Sequence, residues 1–202
     1  MNQIYSLFPS LVHWIEIPSF KKVQNKIIKY AYNEKKNNKE GLIASNVNGW
    51  QSDKYYHLND NIISTTIRSE VYNYFTSNKA LKENTKLTFT AMWININGKD
   101  AYNSFHIHPD CEISGVFWIK VPENSGNISF NSPNMHSGFV ESSSYNEDLC
   151  KATNVYPNYT FYSQEGVMIL FPSYLYHQVM QNRSSQDRIS VSFNLNLRSR
   201  SS

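Results

Sequence analysis

The sequence predicts an α+β fold, mainly β: a barrel or sandwich of short strands braced by helices from the N-terminal part. Three observations carry this expectation. Helical periodicity is confined to the first part of the chain, and about eight short strand-like runs follow it. Aromatic residues make up 14% of the chain, a share that suits pleated, half-buried strands. Helices first and strands after is the order of an α+β domain, not of alternating βαβ units. The 202 residues suit one large domain, read as residues 1–202, with 1–85 as mostly helical support and 86–197 as the β core.

Each element has its local reason. Residues 11–17 form a strand candidate that ends at Pro18. Ser19 can cap a helix running to about Lys36, because Val23, Ile27, Ile28 and Ala31 recur at helical spacing. The lysine-rich stretch 33–40 also carries two glutamates and reads as the solvated end of that helix. Residues 41–60 read as a polar loop, with Trp50 either part of a cover over the barrel mouth or a hydrophobic anchor. A second helix is expected over 62–75, with Ile63, Ile67, Val71 and Phe75 on one stripe. The strand candidates are 86–97, closed by the turn signal Asn97-Gly98, then 101–108, 113–121 and 127–130. A Ser/Asn-rich insertion over 133–155 is expected to be a mobile surface loop. Runs at 159–163, 167–171, 176–181 and 188–197 complete the set.

Charge and composition exclude several classes. The net charge is only +3 and its lysines are scattered, so no basic face for nucleic acid is expected. Cys111 and Cys150 are too few for a disulfide framework and read as reduced thiols. The N-terminus lacks a basic segment followed by an apolar one, and no apolar run reaches the roughly 18 residues of a membrane span. A soluble, cytoplasmic protein without membrane contact is the expectation.

The chemistry concentrates in three places. In Phe105-His106-Ile107-His108-Pro109-Asp110, strand alternation puts His106 and His108 on one face. Two imidazoles so placed suit a metal ion, or are ordinary residues at a barrel mouth. His177 opens a later strand, after the apolar run ending at Pro172, and can arrive as a third ligand from a distant part of the chain. In Arg188-Ile189-Ser190-Val191-Ser192-Phe193-Asn194 the polar residues share one face and the apolar residues the other. If the apolar face packs on the helices, Arg188 looks into the barrel, where burial of a guanidinium is costly without an anion. Its partner is then either a bidentate carboxylate ligand, with Ser190 adding a hydrogen bond, or an internal Asp or Glu. Asn95 and Tyr102 are weaker candidates near the same place; the first is as readily a turn residue and the second a core tyrosine. His13, His57 and His136 have no sequence partners and are read as ordinary residues.

At this point the chain resembles a known family, the 2-oxoglutarate/Fe(II) oxygenases of marine bacteria and their phages, distant relatives of prolyl hydroxylases. The resemblance is carried by Gly49-Trp50-Gln51-Ser52, Trp93-Ile94-Asn95, His106-Ile107-His108-Pro109, residues 114–119, Val121-Pro122, Ser125-Gly126, Leu170-Phe171-Pro172-Ser173, His177 and residues 188–194. It implies a double-stranded β-helix (jelly-roll) barrel, with Fe(II) and 2-oxoglutarate as cofactor and co-substrate. Iron is implied at His106 and His177, and the co-substrate carboxylate at Arg188 and Ser190. A facial set of three ligands with open positions is the oxygenase arrangement. The superfamily usually has H-x-D at its first ligand pair, and His108 stands here in the carboxylate position. The expected ligand set is therefore His106, His108 and His177, with His108, Asp110 and His177 as the other sterically possible set. Kinship suggests a peptide or protein substrate. Two other readings stay open: a three-histidine dioxygenase needing no keto acid, and a jelly-roll binding module without catalysis.

Overall fold

The computed structural model describes residues 3–134 and 144–199. β1 (His13–Glu16) leads into α1 (Phe20–Asn37), which buries Phe20, Ile27 and Ala31. Ser19 takes the N-cap position, but its side chain makes no capping hydrogen bond. The stretch read as a loop contains two strands of two residues each, β2 (Asn46–Val47) and β3 (Trp50–Gln51), too short to show any periodicity. Trp50 is the anchor of this stretch: it is buried in the core shared by the helices and the larger sheet, and its Nε1 donates to Asn38 O at 2.7 Å. α2 (Ile62–Ser77) begins with a reciprocal cap. The Asn61 side chain accepts from Ser64 N at 2.9 Å, and Asn61 N donates to the Ser64 hydroxyl at 3.1 Å.

The β core follows as β4 (Thr85–Asn97), β5 (Tyr102–His106), β6 (Ile113–Lys120) and β7 (Ile128–Asn131). A short helix, α3 (Glu147–Thr153), stands inside the insertion expected to be a loop; Asn146 caps it by accepting from Asp148 N at 2.8 Å. The expected mobility of the rest of that insertion, with His136, falls on residues 135–143, outside the described residues. β8 (Asn158–Phe161), β9 (Val167–Pro172), β10 (His177–Val179) and β11 (Arg188–Ser199) end the chain.

These strands form two antiparallel sheets, in the orders β1-β9-β6-β11-β4-β3 and β2-β5-β10-β7-β8. This is the double-stranded β-helix, mainly β and braced by N-terminal helices. The larger sheet turns its outer face to the helices, where Ile94, Ile96, Phe117, Ile189, Val191, Phe193 and Leu195 meet the stripes of α1 and α2. Its inner face supplies Val116, Trp118, Ile169 and Phe171 to a second core, shared with Ile128 and Phe130 of the smaller sheet. The remaining inner face is polar and builds the site described below. Among the described residues no helix is long and apolar enough to cross a membrane.

Phe193, fully buried between the larger sheet and the helices, tests this layering. Phe193→Ala should cost about 3–5 kcal/mol, by lost transfer energy plus a cavity. The loss would be read as a lower urea midpoint with an unchanged slope.

Candidate metal centre

β5 and β10 are antiparallel neighbours, and their register sets His106 directly opposite His177. The two ring centroids lie 4.3 Å apart. His108 stands beyond the end of β5, not within it as strand alternation predicts. Its backbone N–H donates to Ser173 O at 3.0 Å, which ties this stretch to the turn before β10. The His108 ring thereby comes to 5.0 Å from His106 and 5.3 Å from His177. Each of the three offers a ring nitrogen, and these lie within 4.8 Å of one another, a spacing that one metal ion can bridge. Asp110 is exposed in the following turn and is not part of this group.

The local backbone prepares two of the rings. His106 Nδ1 lies 2.7 Å from Ser104 O, and His177 Nδ1 lies 2.7 Å from Leu175 O. A carbonyl oxygen only accepts, so each Nδ1 carries the proton and each Nε2 keeps a bare lone pair. Backbone carbonyls here orient the rings as outer partners of ligating histidines do. Ser45 Oγ sits 3.4 Å from His106 Nε2. Burial lowers the pKa of all three imidazoles. His108 falls to about 3, first by burial and then by the neighbouring His177, His106 and Lys54. His177 falls to about 4, by burial and then by His106, against the opposite pull of the Leu175 carbonyl. The cluster is held in the neutral form that binds metal.

Arg188 opens β11 and is only 2% exposed. Its Nη1 donates to Ser125 O at 2.6 Å, Met180 O at 3.3 Å and Gly126 O at 3.4 Å. No carboxylate answers its charge: the ion pairs among the described residues are Lys21–Glu165, Arg68–Asp60 and Lys151–Glu147. Burial lowers its pKa to about 10, so it stays protonated at neutral pH. Ser190 pairs across the ladder with Asn95 of β4. Asn95 is 5% exposed; its Nδ2 donates to Ser192 Oγ at 3.0 Å, and its Oδ1 is buried without a partner.

One pocket between the sheets is lined by His106, His108, His177, Arg188, Ser190 and Asn95 together. Tyr102 does not line it; the residue is 37% exposed and pairs with Val47 of β2. A bulge explains the difference. His177 opposes His106 but Val179 opposes Asn103, so β5 carries one extra residue over this span. The extra residue reverses the alternation, and Asn103, not Tyr102, lines the pocket with His106. Trp93 and Ser45 also line it without having been singled out from the sequence. Strand alternation through Asn95 would have found Trp93; Ser45 lies in irregular backbone and left no signal.

The residues present fit a divalent metal and a carboxylate ligand: three neutral imidazoles converge, and a buried guanidinium in the same pocket lacks an anion. Solved structures establish the class of fold. The prolyl-4-hydroxylase of Pseudomonas putida aligns over 92% of each chain at 12% identity, with a TM-score of 0.58. The viral collagen prolyl hydroxylase of Paramecium Bursaria Chlorella virus-1, solved as a 2OG complex, aligns over 91% of this chain and 94% of its own at 14% identity, TM-score 0.58. An epimerase, solved with Fe3+, alpha ketoglutarate and nogalamycin RO, reaches a TM-score of 0.64 at 9% identity, over 91% of this chain and 78% of its own. No curated protein sequence matches. The family model described as "Putative 2OG-Fe(II) oxygenase" matches residues 91–194, just over half of the chain and the span holding every candidate site residue named above except Ser45. The chain belongs to this family of enzymes, which works with Fe(II) and 2-oxoglutarate.

Two outcomes follow from the geometry. Unfolding returns each imidazole to its ordinary pKa of 6.5, so the unfolded chain binds more protons than the folded one between pH 6.5 and about 4. The metal-free protein should therefore lose stability as pH falls through that window. Melting temperatures at pH 7 and pH 5 check this, and His108→Gln should flatten the loss. Gly126 adopts φ +90°, and a Cβ there would meet Met180 O and stand 2.8 Å from Arg188 Nη1. If Arg188 anchors the co-substrate carboxylate, Gly126→Ala should weaken 2-oxoglutarate binding roughly tenfold, or about 1.4 kcal/mol, by displacing the guanidinium. Isothermal titration with 2-oxoglutarate measures it.

Proposed function

We propose that His106, His108 and His177 hold Fe(II), that Arg188 and Ser190 bind the far carboxylate of 2-oxoglutarate, and that the enzyme hydroxylates a C–H bond of its substrate. The observation that carries this reading is the buried Arg188 guanidinium, in an ion pair with none of the described carboxylates, in the same pocket as the three imidazoles.

When bound, Fe(II) and 2-oxoglutarate together activate O2, with succinate and CO2 as the co-products. The chain's own residues make that chemistry selective. The Ser104 and Leu175 carbonyls hold two imidazoles with Nε2 turned free for metal. Three backbone carbonyls occupy Nη1 of Arg188 and leave Nε and Nη2 for a carboxylate. The Ser190 hydroxyl adds a donor beside it. A half-turn of the Asn95 carboxamide would keep its Ser192 bond, with Ser192 donating, and turn N–H groups toward the co-substrate. Trp93 and Trp118 wall the pocket and exclude water from the reacting atoms. A peptidyl residue is the substrate that the fold's kinship with prolyl hydroxylases favours.

A three-histidine dioxygenase that uses no keto acid is the second reading, favoured by the absence of a carboxylate from the ligand group. Succinate separates the two. The parent should release succinate from 2-oxoglutarate in an Fe(II)-dependent reaction, and Arg188→Met should weaken 2-oxoglutarate binding by about 2–5 kcal/mol with metal affinity nearly unchanged. In iron-binding assays, His106→Ala should lose the metal while Asp110→Ala keeps most of it. The reverse result would move the ligand set to His108, Asp110 and His177.

A further inference from the structure

The pocket has a charge imbalance that the co-substrate does not remove. Among the described residues, none that lines it is an Asp or Glu. The described carboxylates nearest to the pocket residues along the chain are exposed or engaged elsewhere: Asp187, beside Arg188, accepts from the Tyr32 hydroxyl at 3.0 Å, Asp110 is exposed, Asp53 accepts from Tyr55 N at 2.8 Å, and Glu112 accepts from Leu197 N. A divalent ion and Arg188 bring three positive charges to the pocket, and 2-oxoglutarate answers two of them. A ligand set of the H-x-D type would neutralise the last charge with its own carboxylate; three imidazoles cannot. A charge left unanswered in a water-poor site is costly.

A further cation stands close by. Lys54 is exposed, and its carbonyl accepts from Met92 N at 2.9 Å, next to Trp93 of the pocket wall. Lys54 forms no ion pair with any described residue.

From this placement of charges we infer that the substrate carries a carboxylate near the C–H bond to be oxidised, and that this group supplies the negative charge missing from the ligand set, with Lys54 as its outer partner. The inference rests on the iron and 2-oxoglutarate reading above and specifies the substrate of that site. Hydroxylation itself is unchanged; the carboxylate is bound and not consumed. The peptide reading is thereby narrowed to an acidic side chain or a chain terminus.

Co(II) in place of iron gives a visible spectrum without turnover. Protein loaded with Co(II) and 2-oxoglutarate is titrated with acetate, with its neutral analogue acetamide and with chloride, at constant ionic strength. Acetate should perturb the spectrum at far lower concentration than acetamide or chloride. Its affinity should fall roughly tenfold or more in His108→Asp, where the protein supplies the charge itself. Lys54→Gln, a change at an exposed residue that leaves the pocket wall intact, should weaken acetate a few-fold. Equal affinity for acetate and acetamide, or equal acetate binding by parent, His108→Asp and Lys54→Gln, overturns the inference. Chloride acting as well as acetate also overturns it, since a small inorganic ion then meets the need. If 2-oxoglutarate leaves the Co(II) spectrum unchanged before any acetate is added, the co-substrate reading itself has failed and the inference falls with it.

Discussion

Strand β11 is buried on both faces, and only one of them is apolar. Ile189, Val191, Phe193 and Leu195 are sealed against the helices, and this seal leaves Arg188, Ser190 and Ser192 no direction but the space between the sheets. The strand cannot slip by one residue, because a slip would turn the guanidinium into the helical core and the phenylalanine into the polar space between the sheets. The apolar seal outside therefore fixes the polar site inside. Its neighbours β4 and β6 inherit the same division, with Ile94, Ile96, Phe117 and Ile119 outward and Trp93, Asn95, Val116 and Trp118 inward.

The metal cluster depends on a different device. β5 is short, bulged and ended at His106, so regular alternation positions only part of its site. Backbone hydrogen bonds do the rest: Ser173 O holds the stretch that carries His108, and the Ser104 and Leu175 carbonyls orient the other two rings. A bulge beside a site is a usual way of re-aiming a side chain without disturbing the sheet around it. The result is a group of neutral imidazoles backed by a cation, with the carboxylate of the common ligand set absent. That difference changes the charge of the pocket while leaving its architecture intact, so the architecture alone does not predict which substrate fits.

Much of the architecture was legible in the chain. Ile63, Ile67, Val71 and Phe75 wrote a helix by their spacing, and the alternation from Arg188 to Leu197 wrote a strand with one polar face. The converging histidines and the buried arginine could be named because each is an unusual residue in an apolar pattern. The two-residue strands β2 and β3 could not be read, since periodicity needs several residues to show itself. Nor could α3, which stands in a polar stretch without an apolar stripe.

The sequence by itself determined the class of fold, the two-faced character of β11 and the residue types available for chemistry, because these follow from local periodicity and from the cost of burying charge. Only the tertiary structure decided how they meet. The exchange of Tyr102 for Asn103 at the pocket comes from a bulge defined by register against β10, a property of two strands and not of one. The place of His108 comes from a hydrogen bond to Ser173, sixty-five positions further on (173 − 108). That no described carboxylate forms an ion pair with Arg188, not even Asp187 beside it in the chain, is likewise decided by the tertiary structure, since no local pattern records which carboxylates turn away.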